Sequence, residues 1–189
     1  MPRASRAQAE SHRREVIEAA AAQVRERGAH AVTVPEVMAA AGLTHGGFYR
    51  HFGSKEELLV HACAAAYAEK IGEMDRIRAD SADGPTARRV FIERYLSTTH
   101  RDAAGQGCGI AATAADVARA EPRGPLREVY LDGIRTMLDR LSDFDERPEP
   151  DVLVELSTMA GALILARATA DNDLSTRILD AAKRSLLTD

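Results

Sequence analysis

At 189 residues the chain can bury a real core, as one compact domain or as a small domain joined to a larger one. Hydrophobic residues make up 45%, charged residues 29% and aromatic residues only 4%, which argues against a β-sandwich and predicts mostly helix. The net charge of -4 excludes a surface that coats nucleic acid throughout, yet residues 1–55 carry eight basic against five acidic side chains, +3, which leaves -7 for the remainder.

Residues 1–10 are polar and read as a frayed end. Ile17, Ala20, Ala21 and Val24 then recur at helical spacing, and Gly28 supplies a stop for this first helix. In Thr33-Val34-Pro35-Glu36 a hydroxyl stands at an N-cap, a proline in the first turn and a glutamate three residues after the cap. That is the pattern of a capping box. The second helix runs through Val37, Met38 and Ala41 to Gly42. Thr44 caps a third helix ending near Phe52-Gly53, because Ser54-Lys55-Glu56-Glu57 is a second capping box and opens a fourth helix with Leu58, Leu59, Ala62, Ala65 and Ala66 inside. A short helix, a glycine turn and another short helix, braced by the first, form a helix-turn-helix unit.

"ADSADGP" is loop-like, and periodicity resumes with Val90, Phe91 and Tyr95. "AAGQGCG" breaks it, residues 110–120 are helical, and Leu126, Tyr130, Ile134, Met137 and Leu141 mark a long amphipathic helix that "DFDERPEPD" ends in a loop. Two more helices follow, one on Leu153, Leu156, Ala160, Leu163 and Ile164 and one on Leu174, Ile178, Ala181 and Leu186. The pattern gives an all-α chain of about nine helices. Leu156 to Ala166 is apolar around most of its circumference, more than one protomer can cover. Leu156, Ser157, Ala160, Gly161, Ile164 and Ile178 are therefore the expected dimer interface, with Ser157 and Gly161 allowing close helix approach.

Within the third helix, Gly46 and Gly47 remove bulk where a helix start must enter the major groove. Thr44 and Tyr49 offer hydroxyls, His45 and Arg50 offer donors to bases or phosphates, and Lys55 stands at the positive end of the next helix. Phe48 and Phe52, four apart, should face inwards and lock the segment down. His61 and Cys63 are too few ligands for a closed zinc site, so neither metal nor cofactor is expected. Two distant cysteines, Cys63 and Cys108, fit a reduced compartment, and the longest apolar run is too short to span a bilayer; a cytoplasmic protein with no membrane partner is expected.

Residues 12–58 resemble the DNA-binding domain of TetR-family transcriptional regulators, a likeness carried by the run "TVPEVMAAAGLTHGGFYRHFGSKEELL". The resemblance implies a homodimer, each subunit carrying a three-helix reading head (residues 1–53) joined by helix four to a larger domain for effector binding and dimerisation (residues 54–189). It implies phosphate contacts from Thr33 and Thr44, base contacts around His45, Gly46 and Gly47, and backbone contacts from Tyr49, His51 and Lys55. Gly47 departs from the Ser, Thr or Ala often found there, which removes one side-chain contact. The family further implies a repressor released from a palindromic operator on double-stranded DNA when a small molecule binds between helices four and seven, where Tyr95, Thr113, Asp116, Tyr130 and Met137 are candidates. Cys108, beside glycines at a helix start, resembles the Gly-Cys segment through which some such repressors sense electrophiles or oxidants. A thiol enzyme using Cys108 with His100 or His61 as base is the alternative from another class, but it lacks the spacing of a positioned nucleophile and base.

Overall fold

A computed structural model describes residues 6–188, which contain nine α-helices, two short 3-10 segments and no strand. Helix α1 (Arg6–Arg27) begins inside the stretch expected to fray, while residues 1–5 lie outside the described residues. It buries Val16, Ala20, Ala21 and Val24 and stops at Gly28, whose φ of 80° is open to glycine at little cost. Helix α2 (Val34–Ala40) carries Pro35 in its first turn and buries Val37 and Met38. Its end is a Schellman motif: Gly42 takes φ 69°, its N–H donates to the Ala39 carbonyl at 3.0 Å, and Leu43 N–H reaches back to Met38 at 2.8 Å.

The capping box at Thr33 does not form. The Thr33 hydroxyl donates to Glu36 Oε2 at 2.8 Å instead of accepting from the backbone, and Arg27 meets the same carboxylate oxygen at 3.5 Å. The box at Ser54 does form in essence: Ser54 Oγ accepts from Glu57 N–H at 3.0 Å, and the Glu57 carboxylate takes the Gly53 N–H at 2.7 Å. Between the two, His45–Arg50 is a 3-10 segment and not a full α-helix.

Helix α3 (Lys55–Asp80) runs from this head into the body, packing first on α1 and then on α7 (Pro125–Asp145). Helix α4 (Gly84–Tyr95) starts under an Asp83 cap, and "AAGQGCG" is preceded by a five-residue helix, α5 (Thr98–Asp102), that periodicity is too short to reveal. A 3-10 turn (Ala104–Gln106) leads into α6 (Gly109–Arg119). The expected loop over 143–151 shrinks to residues 146–148, because α7 continues to Asp145 and α8 (Glu149–Ala168) uses Pro150 in its first turn. Helix α9 (Asp173–Leu187) packs against α8.

The body's core contains Phe91, Ile92, Tyr95, Leu96, Met137, Leu141, Met159 and Leu163. Beside it Glu155, 1% exposed, ion-pairs with Arg88 and with Arg147 at 2.7 Å; Arg88 also donates to the Leu186 carbonyl. Burial pushes the Glu155 carboxyl up, and the two arginines oppose that shift by favouring its charge. This cluster fixes α8 and α9 to α4 and to the end of α7.

Candidate nucleic-acid interface

Phe48 and Phe52 are buried and stacked, ring centroids 5.6 Å apart, so the 3-10 segment is anchored from inside. That leaves Thr44, His45, Gly46, Tyr49, Arg50 and Lys55 exposed, Tyr49 to 76%. His45, Tyr49, Arg50 and Lys55 make no side-chain hydrogen bond or ion pair among the described residues, so their polar groups are free for a ligand. Gly47 and His51 are half-buried. Thr33 is exposed, but its proton is committed to Glu36, whose carboxylate that hydrogen bond, with help from Arg27, holds below the usual range. A phosphate at Thr33 has to displace an anion.

Neither Gly46 nor Gly47 is required by the chain itself. A Cβ on Gly46 meets nothing within 4 Å, and one on Gly47 sits 3.7 Å from Met38 Cε and 3.9 Å from Thr44 Oγ1, ordinary van der Waals contacts. Positive φ is confined to Gly28, Gly42 and Glu146 among the described residues, so these two glycines are not needed for a left-handed turn either.

Arg13 is the residue that sequence reasoning missed. Its guanidinium lies 4.7 Å over the Phe52 ring, donates to the His51 carbonyl at 3.3 Å and to Glu57 at 3.4 Å, and meets His61 Nε2 at 2.9 Å. Arginine only donates, so His61 presents Nε2 as acceptor and keeps its proton on Nδ1. Arg13 thus joins α1 to both ends of the turn that leads from the recognition segment into α3. A signal existed: the buried stripe Val16, Ala20, Val24 extends one step back onto Arg13, a cation on an inward face. Partial burial, and then the positive charges of His12, Arg13 and Arg50, hold the His51 imidazole below its ordinary value.

Arg13→Met keeps the stem over Phe52 and removes every polar link. We expect operator affinity to fall about tenfold for all sequences alike, with an unchanged salt dependence, as fits a positioning residue. A loss of about 0.9 in the slope of log affinity against log salt would show instead that Arg13 touches a phosphate itself.

The head is tied to the body at a second point. Arg25, in the last turn of α1 and only 7% exposed, donates to the Gly105 carbonyl at 2.5 Å and ion-pairs with Glu69 of α3 at 2.7 Å, off the hydrogen-bonding direction. Asp116 accepts from His30 N–H at 3.2 Å, placing it on the seam between α1 and α6.

The other expected effector residues fall into two groups inside the body. Thr113 and Tyr130 surround Tyr67, whose ring fills the space between α6 and α7: a Cβ on Gly133 would lie 2.5 Å from it and one on Gly109 3.0 Å. Thr113 gives its proton to the Gly109 carbonyl, so the Tyr67 hydroxyl donates to Thr113 at 2.8 Å. Tyr95 and Cys108 lie beside His100, which gives its Nδ1 proton to the Tyr95 carbonyl at 2.7 Å and accepts from the Cys108 backbone N–H at Nε2, 3.0 Å. Burial holds this imidazole down at about 4. Both its nitrogens are therefore engaged, and neither faces the Cys108 sulfur as a free base; His61 is engaged by Arg13. Cys108 itself has no exposed surface, and Met137 is fully buried. An open groove of about 650 Å³ lies elsewhere, between α3 and α4.

On α8, Leu156 turns into the protomer's own core at 7% exposure, because it shares the inward face with Val152, Met159 and Leu163. Ser157 and Ile164 are exposed, Ala160, Gly161 and Ile178 half-buried, and Leu153, Val154 and Leu165 add to an uncovered apolar face.

An exposed, cation-flanked recognition segment braced by two helices and carried on an all-helical body defines a helix-turn-helix DNA-binding regulator. Residues 16–62 match the family described as bacterial regulatory proteins, tetR family. The chain is 30% identical over 175 residues to the HTH-type transcriptional regulator Rv0196 of Mycobacterium tuberculosis, spanning 84% of this chain and 86% of that one. It belongs to the TetR family of transcriptional regulators. It is also 46% identical over 98 residues to the HTH-type transcriptional repressor KstR2 of the same organism, a match covering 51% of this chain and 48% of that protein. Among solved structures, a TetR-family regulator from Agrobacterium tumefaciens superposes with TM-score 0.79 at 17% identity, over 95% of this chain and 97% of that one. One from Chloroflexus aurantiacus does so with TM-score 0.79 at 24% identity, over 95% and 94%. These two likenesses concern the fold. Among the described residues no helix is long and apolar enough to cross a membrane, and no three His, Cys, Asp or Glu side chains gather as a metal site would need.

Proposed function

We propose that the chain is a cytoplasmic, homodimeric repressor that grips a palindromic operator with two recognition segments and releases it when a small molecule binds its body. The observation carrying this reading is the recognition segment itself, with Tyr49, Arg50 and Lys55 exposed and without side-chain hydrogen-bond or ion-pair partners among the described residues, beside two glycines that the fold does not need. Lys55, Tyr49, His51 and Thr44 hold phosphates, while His45 and Arg50 reach base edges past Gly46 and Gly47. Residues 1–53 act as the reading head and 54–189 as the body.

The uncovered face of α8 and α9 supplies the dimer contact through Ser157, Ala160, Gly161, Ile164 and Ile178. A Cβ on Gly161 meets nothing within 4 Å, so a partner helix can come close there. Two heads then reach successive major grooves, about 34–36 Å apart. The name of KstR2 supplies the sign, repression.

The test is binding to the DNA upstream of the protein's own coding region, titrated against salt and against scrambled sequence. Binding should be salt-dependent and specific, and His45→Ala should change preference among operator variants. Equal, weak affinity for operator and scrambled DNA would refute the reading.

A further inference from the structure

The groove of about 650 Å³ is walled by α3 and α4 and closed at one end by residues 97–106. Its lining includes Lys70, which is only 7% exposed. The ammonium has one protein partner among the described residues, Glu73 at 2.5 Å, so two of its three N–H bonds are unused. Glu73 is more open, its side chain 27% exposed. His100, also on the lining, spends both ring nitrogens on backbone groups and adds no charge.

With Glu69 paired to Arg25 and Glu93 exposed to solvent on the rim, this asymmetry around the buried Lys70 selects the sign of a ligand. A cation bound to Glu73 draws it from Lys70 and leaves an ammonium buried and unpaired, a heavily penalised state. An anion takes the place of Glu73 on Lys70, and the displaced carboxylate keeps access to water and to Arg76 and Arg94, which share an adjoining depression with it. Arg94 is exposed without an ion pair and lines the groove as well, while Val90 and Ala103 offer apolar wall. We propose that this groove binds a small organic anion with an apolar body, its acidic group on Lys70 and Arg94.

The inference rests on the ligand-responsive reading above for its consequence, because the groove adjoins both anchors of Arg25. Glu69 is on its lining, and Gly105 lies between Ala103 and Gln106, which are on it too. An occupant that moves either anchor moves α1 and, with it, the reading head.

Octanoate, octan-1-ol and octylammonium share a tail and differ in charge, so calorimetry with the three, on the full chain, isolates the head group. Octanoate should bind at least about tenfold tighter than either of the others. Lys70→Met should erase that advantage, and Glu73→Gln, which removes the competing carboxylate, should tighten octanoate. Should Lys70→Met not fold, Arg94→Gln on the exposed wall should still weaken octanoate several-fold. Octylammonium binding as well as octanoate, or octanoate indifferent to Lys70 and Arg94, overturns the site. Octanoate that binds as expected yet leaves operator affinity unchanged overturns the link through Arg25 and the ligand-responsive reading, with the anion site standing. Arg25→Met should keep octanoate binding and lose its effect on DNA.

Discussion

Gly47→Leu should leave helicity, thermal midpoint and dimerisation close to those of the wild type while lowering operator affinity at least tenfold, about 1.4 kcal/mol. A Cβ at this position finds only ordinary contacts with Met38 and Thr44, and its φ is not positive, so neither backbone conformation nor the first side-chain carbon is resisted inside the protomer. On the proposed reading the resistance would come from the major groove, which would admit this segment only when its backbone can approach. Circular dichroism and fluorescence anisotropy on one preparation separate the two effects. A variant that unfolds would mean that Gly47 is a structural turn after all. Gly47→Ala, with one methyl, should fall between the wild type and leucine.

Gly84→Ala should do the opposite, lowering stability by about 3 kcal/mol or more, which for a chain of this size is a drop of about 6–12 °C in thermal midpoint. The first turn of α4 meets the last turn of α7 at Gly84, where an added Cβ would overlap the Phe144 carbonyl. Backbone cannot step aside as a flexible side chain can. Nearby, Arg88 pairs with Glu155 and Asp145, so separating α4 from α7 also strains a buried ionic cluster. A midpoint within 2 °C of the wild type, measured by differential scanning calorimetry, would show that the two helices slide apart cheaply.

Much of the architecture was legible because it is written in local chemistry. Gly28 and Gly42 stop helices at positive φ, Ser54 starts one, and Phe48 and Phe52 are spaced to face one way. What escaped depends on partners distant in sequence. Thr33 has the spacing of a capping box, but its hydroxyl spends its proton on Glu36, a carboxylate shared with Arg27, which is not part of the motif. Leu156 belongs to an apolar run with no clear polar face, so nothing local tells its inward side from its outward one. Tyr67 lies on the same helix as the expected inner stripe, but only the folded chain reveals that Gly109 and Gly133 leave room for its ring. Arg13 and Arg25 read as ordinary surface charges on a polar helix. Their roles arise from groups 38 to 80 residues away.

The length of α3 has a mechanical consequence. Its 26 residues extend about 39 Å, with Lys55 at its N-terminal end, beside the recognition segment, and Lys70 about 22 Å further along. Pivoting by only 5° about the level of Lys70 carries Lys55 sideways by about 2 Å, more than half of one base-pair step of about 3.4 Å. In a dimer the two displacements add. On the proposed reading, release from an operator would then need no helix to lose its own hydrogen bonds, only a change in angle too small to disturb the core.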